Sequence, residues 1–265
     1  MSGEKVEVGF LGGGRMASAV REGLLSKGEN RVGVFDPEEG AARTWRERGC
    51  TVFDTPGELF AACRWLVLAV KPQTYRSCKE NWRKLNFSGT GWISIMAGIS
   101  LSDMEALRPG LPIVRTMPNT PMMVNLGVVA LCGGKNAGEE HLARVEELFA
   151  PVAHTLRVKE DQMDGVTALS GSGPAYIFYL TEEIARRGKA LNLDPEQILK
   201  LWTRTLEGAA LMLAGGGDPG ELRRQVTSPG GTTEAALKLF DARALSEIFG
   251  EGLVKACERS KELRS

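Results

Sequence analysis

Two stretches of this 265-residue chain carry residue types whose spacing points to chemistry. The first is Gly12-Gly13-Gly14-Arg15-Met16-Ala17, which fits G-x-G-x-x-A with Gly12, Gly14 and Ala17 at the small positions. An apolar run ending at Leu11 precedes it and a helical pattern follows. A tight turn at Gly12, close approach of a pyrophosphate at Gly14 and a helix start offering unpaired N–H groups are what a dinucleotide requires. A bare glycine-rich turn would look alike, but the next strand ends in Asp36, about 20 residues on, where the fingerprint places a ribose acceptor. Asp36 can accept from the ribose hydroxyls of NAD, and its charge would repel a 2′-phosphate. Equally, Asp36-Pro37 can start a turn and cap the next helix. Arg15, Arg43 and Arg46 can offset the repulsion, so NADPH stays open beside NADH.

The second stretch is Thr227-Ser228-Pro229-Gly230-Gly231-Thr232-Thr233, placed before a helical run that starts Glu234-Ala235-Ala236-Leu237. Consecutive glycines and hydroxyl residues at a helix start expose several N–H donors in one concavity, a nest suited to a carboxylate or phosphate. The plainer alternative is a capping loop with Thr232 or Thr233 as N-cap. Ala69-Val70-Lys71-Pro72 and Ile95-Met96-Ala97-Gly98 end two strands at the carboxyl edge, where open α/β sheets place ligands. Lys71 can meet a cofactor phosphate or ribose there, or simply be solvated. The small residues near Gly98 would let a nicotinamide ring lie against backbone, although a glycine turn alone would read the same. Within Ser170-Gly171-Ser172-Gly173-Pro174, glycine and proline interrupt a helical pattern and call for close approach of another helix or a ligand.

These residues need elements to carry them. Short apolar runs at 6–11, 31–35, 51–53, 65–70 and 92–96 alternate with helical patterns at 15–27, 38–48 and 56–62, and runs at 113–115, 126–132 and 153–158 predict three more strands. Such alternation predicts an α/β Rossmann-like domain with a mainly parallel sheet over residues 1–160. Beyond it the strand signals vanish. Helices are expected from Asp161 towards Arg187, from Pro195 through Leu213, and over 219–226, 233–239 and 242–263, an all-α domain over 161–265. Several apolar faces in so small a helical domain predict a homodimer.

Composition narrows the partners. With 33 basic against 33 acidic side chains the net charge is near zero, so nothing favours nucleic acid or an anionic membrane. The uncharged stretch from Thr116 to Gly134 is interrupted by Pro118, Asn119 and Pro121, and predicts no membrane span. Five scattered cysteines offer no disulfide framework, and two histidines make a metal site or a Ser-His-Asp triad improbable. A cytoplasmic protein is expected.

Taken together the residues resemble the pyrroline-5-carboxylate reductase family. The likeness runs from Gly9 to Ala17, through Ala69-Val70-Lys71-Pro72-Gln73, Arg115-Thr116-Met117-Pro118-Asn119-Thr120-Pro121 and Ser170–Tyr176, to Leu222-Arg223 and Val226–Thr233. It covers nearly the whole chain, and its last two motifs together are specific. The resemblance implies reduction of 1-pyrroline-5-carboxylate to L-proline by NAD(P)H, the last step of proline biosynthesis, in a homodimer that some members stack into decamers. It implies a substrate held near the nicotinamide and the dimeric helical domain, with Met117-Pro118-Asn119 lining the approach. Thr233 would donate to the ring nitrogen, while Ser228, Gly231 and Thr232 hold the carboxylate. The dinucleotide would meet Leu11, Gly12, Gly13, Gly14, Arg15, Met16, Asp36, Ala69, Val70, Lys71, Pro72, Met96, Ala97 and Gly98. Reducing an imine needs a hydride and a donor at nitrogen, whereas oxidising a hydroxy acid needs a general base; Ser170–Gly188 holds neither Lys nor His. Many members carry an Asn after the third strand that contacts the adenosine ribose or its phosphate. Here Pro56 stands at that place, which with Asp36 tilts the expectation towards NADH. A reductase of a six-membered imine such as piperideine carboxylate, or of another small imino or hydroxy acid, and a non-catalytic nucleotide-binding homologue are the competing readings.

Overall fold

The computed structural model describes residues 6–264, the side chain of Lys189 apart. They form two compact units: one comprises the chain up to Ser172 together with the part from Ala256 onward, the other Gly173–Lys255.

The first unit is built on strands β1 (Val6–Leu11), β2 (Val32–Phe35), β3 (Thr51–Val52), β4 (Cys63–Leu68), β5 (Gly91–Ser94), β6 (Ile113–Pro118), β7 (Gly127–Gly133) and β8 (Ala153–Arg157). They make one sheet in the order β3-β2-β1-β4-β5-β6-β7-β8. Every neighbouring pair is parallel except β6 with β7, the mainly parallel sheet that the alternation predicts. All of β1 is buried, as a strand covered on both faces must be. Its side chains alternate between two cores. Val8 and Phe10 pack with Val20 and Leu24 of α1 (Arg15–Ser26) and Trp45 of α2 (Glu39–Glu47). Leu11 packs on the opposite side with Leu59 and Phe60 of α3 (Pro56–Ala62), and Val6, at the start of the strand, joins this second core although it has the parity of Val8 and Phe10. Each such side chain contributes about 1.5–3 kcal/mol through burial.

The strand order turns back between β1 and β4, the switch point where doubly wound sheets open a crevice for ligands. Register brings the chemistry to that edge. Leu11 stands opposite both Phe35 and Leu68, and the backbone ladder continues one residue further, with Gly12 N donating to Phe35 O and Ala69 N to Leu11 O, each at 2.9 Å. Gly12, Asp36 and Ala69 therefore leave the sheet side by side.

Three helices of this unit lie outside the predicted ones: α4 (Pro72–Arg83), α5 (Leu101–Leu107) and α6 (Glu139–Phe149). The apolar stripe of α4 is thin, for it buries only Tyr75 and Trp82. The helix expected from Asp161 towards Arg187 is broken into a 3-10 turn at Glu160–Gln162, α7 (Met163–Val166), a π-turn at Thr167–Gly171 and α8 (Gly173–Arg186). Asp161 lies inside the 3-10 turn and caps no helix. Gly171 faces β6, where an added Cβ would sit 2.4 Å from Met117 Cε. Pro174 is the second residue of α8, in the first turn, where no intrahelical N–H bond is lost.

The second unit contains α8, α9 (Gly188–Leu191), α10 (Pro195–Ala214), α11 (Pro219–Gln225), α12 (Thr232–Ala242) and the larger part of α13 (Leu245–Arg264). Asp194 caps α10 as expected, accepting from Gln197 N at 2.8 Å while the Gln197 side chain accepts from Asp194 N at 3.0 Å. The predicted helix over 242–263 is corrected at its start. Ala242 closes α12, Ala244 is left-handed (φ 54°), and α13 begins at Leu245. Trp202 Nε1 donates to Thr181 Oγ1 at 3.0 Å between α10 and α8. Among the described residues of this unit Ile198 is the one buried large apolar side chain, whereas Phe178 and Leu211 are 67% and 68% exposed.

Candidate functional site

Each residue of the glycine loop is shaped differently. Gly12 is left-handed (φ 101°), and a Cβ on it would lie 2.8 Å from Ala69 O, so only glycine fits. Gly13 is pinned from behind. Its N–H donates to Asp36 Oδ2 at 2.7 Å, and its carbonyl accepts from Trp45 Nε1 at 3.0 Å. Gly14 opens α1 as N-cap with no side-chain cap, and no atom lies within 4 Å of the place its Cβ would take. The first turn of α1 holds no acidic residue. Its unpaired N–H groups thus face open space with a favourable dipole, which suits a pyrophosphate. Ala17, one turn on, is buried against the sheet. A cleft of about 330 Å³ beside the loop is lined by Gly13, Gly14, Arg15, Ser18, Thr44 and Met123, among others. Leu11 is buried at the end of β1 and Met16 half-buried in α1.

Asp36 starts the expected turn but does not cap the next helix. Oδ2 fastens Gly13, Oδ1 accepts from Glu38 N at 2.9 Å, and Glu38 rather than Asp36 is the N-cap of α2. The carboxylate is half-buried on the rim, and each oxygen keeps a lone pair for a further donor. Of the arginines that could offset its charge, Arg15 and Arg43 are exposed, while Arg46 pairs with Glu39 at 3.3 Å. Pro56 occupies the first turn of α3 behind the Thr55–Glu58 capping box and offers no donor.

At the end of β4, Ala69 and Val70 are half-buried, and exposed Lys71 is the N-cap of α4 with Pro72 following. After β5, Met96 is buried and Ala97 half-buried. Gly98 is left-handed (φ 69°), with its missing Cβ directed at Leu263 O, so packing against backbone accounts for that glycine.

The loop before α12 differs from a capping loop. Gly231 is the N-cap and has no side chain to cap with, so neither Thr232 nor Thr233 takes that part, and the helix starts one residue earlier than expected. Gly230 is left-handed (φ 73°) and donates to Glu234 Oε2 at 2.9 Å. Gly231 N donates to Ser228 O at 3.0 Å, so this amide closes the turn and is not a free donor. A Cβ on Gly231 would lie 2.4 Å from Ser228 Oγ, so the glycine is what lets that hydroxyl crowd the helix start. Thr232 and Thr233 present uncapped N–H groups there. Thr233 is half-buried, and its hydroxyl has no hydrogen-bond partner among the described residues. By contrast Thr227 Oγ1 is engaged by Arg223 O at 2.6 Å.

Several contacts around the site escape the sequence reading, some of them made by residues it names. Trp45, which shapes the loop at Gly13, also packs at a tilt against Phe10, with ring centroids 5.0 Å apart, and lies 4.6 Å beneath the Arg21 guanidinium. A buried indole N–H calls for an acceptor, but no spacing says which. Asn119 is buried with its amide engaged: Oδ1 accepts from Val128 N at 2.9 Å and Nδ2 donates to Ser170 Oγ at 3.2 Å. It ties β6 and β7 to the π-turn. Arg115, also buried, pairs with Glu160 at 3.1 Å. Burial pushes the Cys63 and Cys132 thiols up to about 12, leaving them protonated and unreactive at neutral pH. Among the described residues no group of His, Cys, Asp and Glu could hold a metal ion, and no helix is long and apolar enough to cross a membrane.

Known proteins are similar to this chain in sequence and fold. A family model described as pyrroline-5-carboxylate reductase dimerisation matches residues 160–263, and one described as NADP oxidoreductase coenzyme F420-dependent matches residues 7–98. The chain is 37% identical to a pyrroline-5-carboxylate reductase of Methanosarcina acetivorans, covering 98% of both chains. It is 34% identical to one of Arabidopsis thaliana, over 98% of this chain and 96% of that one. The crystal structure of Plasmodium falciparum pyrroline carboxylate reductase with NADP bound superposes with a TM-score of 0.89 at 28% identity, covering 99% of each chain.

Proposed function

This chain belongs to the pyrroline-5-carboxylate reductase family, and from that premise we propose which residues carry the reaction, which dinucleotide it prefers and how it assembles. It is an NAD(P)H-dependent oxidoreductase that reduces 1-pyrroline-5-carboxylate to L-proline. The observation that carries the site assignment is the uncapped start of α12, where a glycine N-cap leaves the Thr232 and Thr233 amides and the Ser228 hydroxyl to one small anion. A carboxylate there receives charge-assisted hydrogen bonds and the helix dipole.

Thr233 is the catalytic residue of this reading. With its amide on the carboxylate, its hydroxyl donates to the imine nitrogen and passes it the proton that balances the incoming hydride, being reprotonated from solvent. Gly231 serves by close approach, since its own amide is engaged. A reduced nicotinamide supplies the hydride to the imine carbon. The chain's part is to hold it: the open face at Gly14 takes the pyrophosphate, Asp36 the adenosine ribose, Lys71 a phosphate or ribose hydroxyl, and the Met96-Ala97-Gly98 turn the nicotinamide ring. No general base is required, and most of the rate gain is positional.

Asp36 places a carboxylate where a 2′-phosphate would lie and Pro56 offers that phosphate no donor, so NADH is the preferred reductant. The opposite preference has support in the NADP-bound Plasmodium falciparum structure and in the NADP-related model over residues 7–98. Initial rates with pyrroline-5-carboxylate, NADH and NADPH in parallel decide it. The ratio of the two kcat/KM values measures the preference, and absence of turnover in protein that binds either dinucleotide would refute the reaction.

The exposed apolar faces of 173–255 and the dimerisation model over 160–263 support a homodimer. A pentamer of dimers and a cytoplasmic location complete the reading. Light scattering at working concentration would give the mass of a dimer or of a decamer.

A further inference from the structure

The turn after β5 is held from a side that the proposed chemistry does not use. A Cβ on Gly98 would lie 3.1 Å from the carbonyl oxygen of Leu263, in the last turn of α13. Arg76 of α4 donates from Nη2 to Gly98 O at 3.4 Å and also to Leu263 O. One guanidinium thus joins the helix that starts at the β4 rim, the β5 rim and the end of the last helix. The carbonyls of a helix end have no intrahelical donors and carry partial negative charge, so a cation fits there for a physical reason.

That helix end is anchored in turn by a carboxylate with no solvent exposure. Asp164 Oδ1 accepts from Ser260 Oγ at 2.8 Å, and Arg264 Nη2 stands 2.7 Å from Oδ2 in an ion pair that lacks hydrogen-bond alignment. A buried carboxylate is stable only while such partners stay in place, so Asp164 penalises any departure of the turn that supplies them.

We propose that Ser260–Arg264 is a clamp on the Met96–Gly98 turn, with Arg76 and Asp164 as positioning residues for the nicotinamide half of the dinucleotide. The inference rests on the reading above that this turn meets the nicotinamide ring. Neither residue touches a reacting atom. Each acts by holding the turn within the few tenths of an ångström that a productive ring position requires. The adenosine and pyrophosphate, held by Asp36 and the glycine loop, do not depend on the clamp.

The test compares NADH with ADP-ribose, which lacks the nicotinamide, on full-length Arg76→Gln and Asp164→Asn. NADH is followed by its fluorescence and ADP-ribose by calorimetry. The Kd for NADH should rise about tenfold in both variants, the KM for NADH should rise more than kcat falls, and the Kd for ADP-ribose should stay unchanged. Equal losses for both ligands, or for neither, would overturn the clamp. Arg76 is exposed, so its variant keeps the test available where Asp164→Asn fails to fold. Ala97→Leu separates the two layers of the argument. If it binds NADH as the wild type does, the ring does not lie on this turn, and both the reading and the clamp fall. If it loses NADH while Arg76→Gln does not, the clamp alone fails.

Discussion

Replacing Asp36 by asparagine separates its two duties. The carboxylate accepts from Gly13 N at 2.7 Å and from Glu38 N at 2.9 Å, one bond to each oxygen. An asparagine keeps one acceptor and turns the other into a donor facing an N–H. One half-buried amide is then unpaired, at a cost of about 1 kcal/mol, and a protein of this size should melt roughly 2–4 °C lower. The removed charge acts separately. A carboxylate about 5 Å from a 2′-phosphate in near-aqueous surroundings is repelled by roughly 1 kcal/mol or a little more. The ratio of kcat/KM for NADPH to that for NADH should therefore rise about tenfold. Loosening of the glycine loop weakens both dinucleotides alike and cancels in the ratio. The assay is initial rates with each dinucleotide at saturating imine, with a thermal melt of the same preparation. A lower Tm with an unchanged ratio would refute the electrostatic argument and leave Asp36 as a fastener of Gly13 alone.

Thr233→Ala should lower kcat by about 10²-fold while the Kd for NADH stays the same, and Thr233→Ser should recover most of the loss; equal falls in turnover and NADH affinity would contradict its role at nitrogen. Gly14→Val should fold normally, because its Cβ meets nothing, yet abolish dinucleotide binding measured by calorimetry. Gly12→Ala should instead destabilise the protein, as the left-handed φ and the 2.8 Å approach to Ala69 O both oppose a Cβ; comparable melts for the two variants would undo that distinction. Alkaline pH should weaken the fold through the buried thiols. Cys63 and Cys132 go from 9.0 unperturbed to about 12 when folded, so their stabilisation is complete below pH 9 and is lost as pH rises towards 12. Urea midpoints should therefore fall between pH 9 and 10.5, and less steeply in Cys63→Ala.

What can be read along the chain is what local physics dictates. The runs at 6–11 and 65–70 are short, apolar and closed off by glycine or lysine-proline, which leaves a buried parallel strand as the consistent reading, although the second strand lies two residues earlier, at Cys63–Leu68. The glycine loop is legible because only glycine tolerates the φ of 101° at Gly12, and the Asp194-Pro195 helix start because a capping box lies within four residues. Gly230, left-handed at φ 73°, makes the turn before α12 legible for the same reason. Where packing is sparse or distant, the signal fails. Helix α4 buries two side chains in twelve residues, too few to stand out as a period. The interruption that glycine and proline signal inside 161–187 is legible, but not that Gly171 must clear Met117, a neighbour on another strand. Gly13, fastened by both Asp36 and Trp45, lies 23 and 32 residues from them, Ser170 lies 51 from Asn119, and Arg76 reaches Leu263 across 187. Such contacts leave no periodicity. They depend on which sheet edge and helix end fold back together, and side-chain chemistry along the chain says only that a buried donor or acceptor must find a partner, not which one.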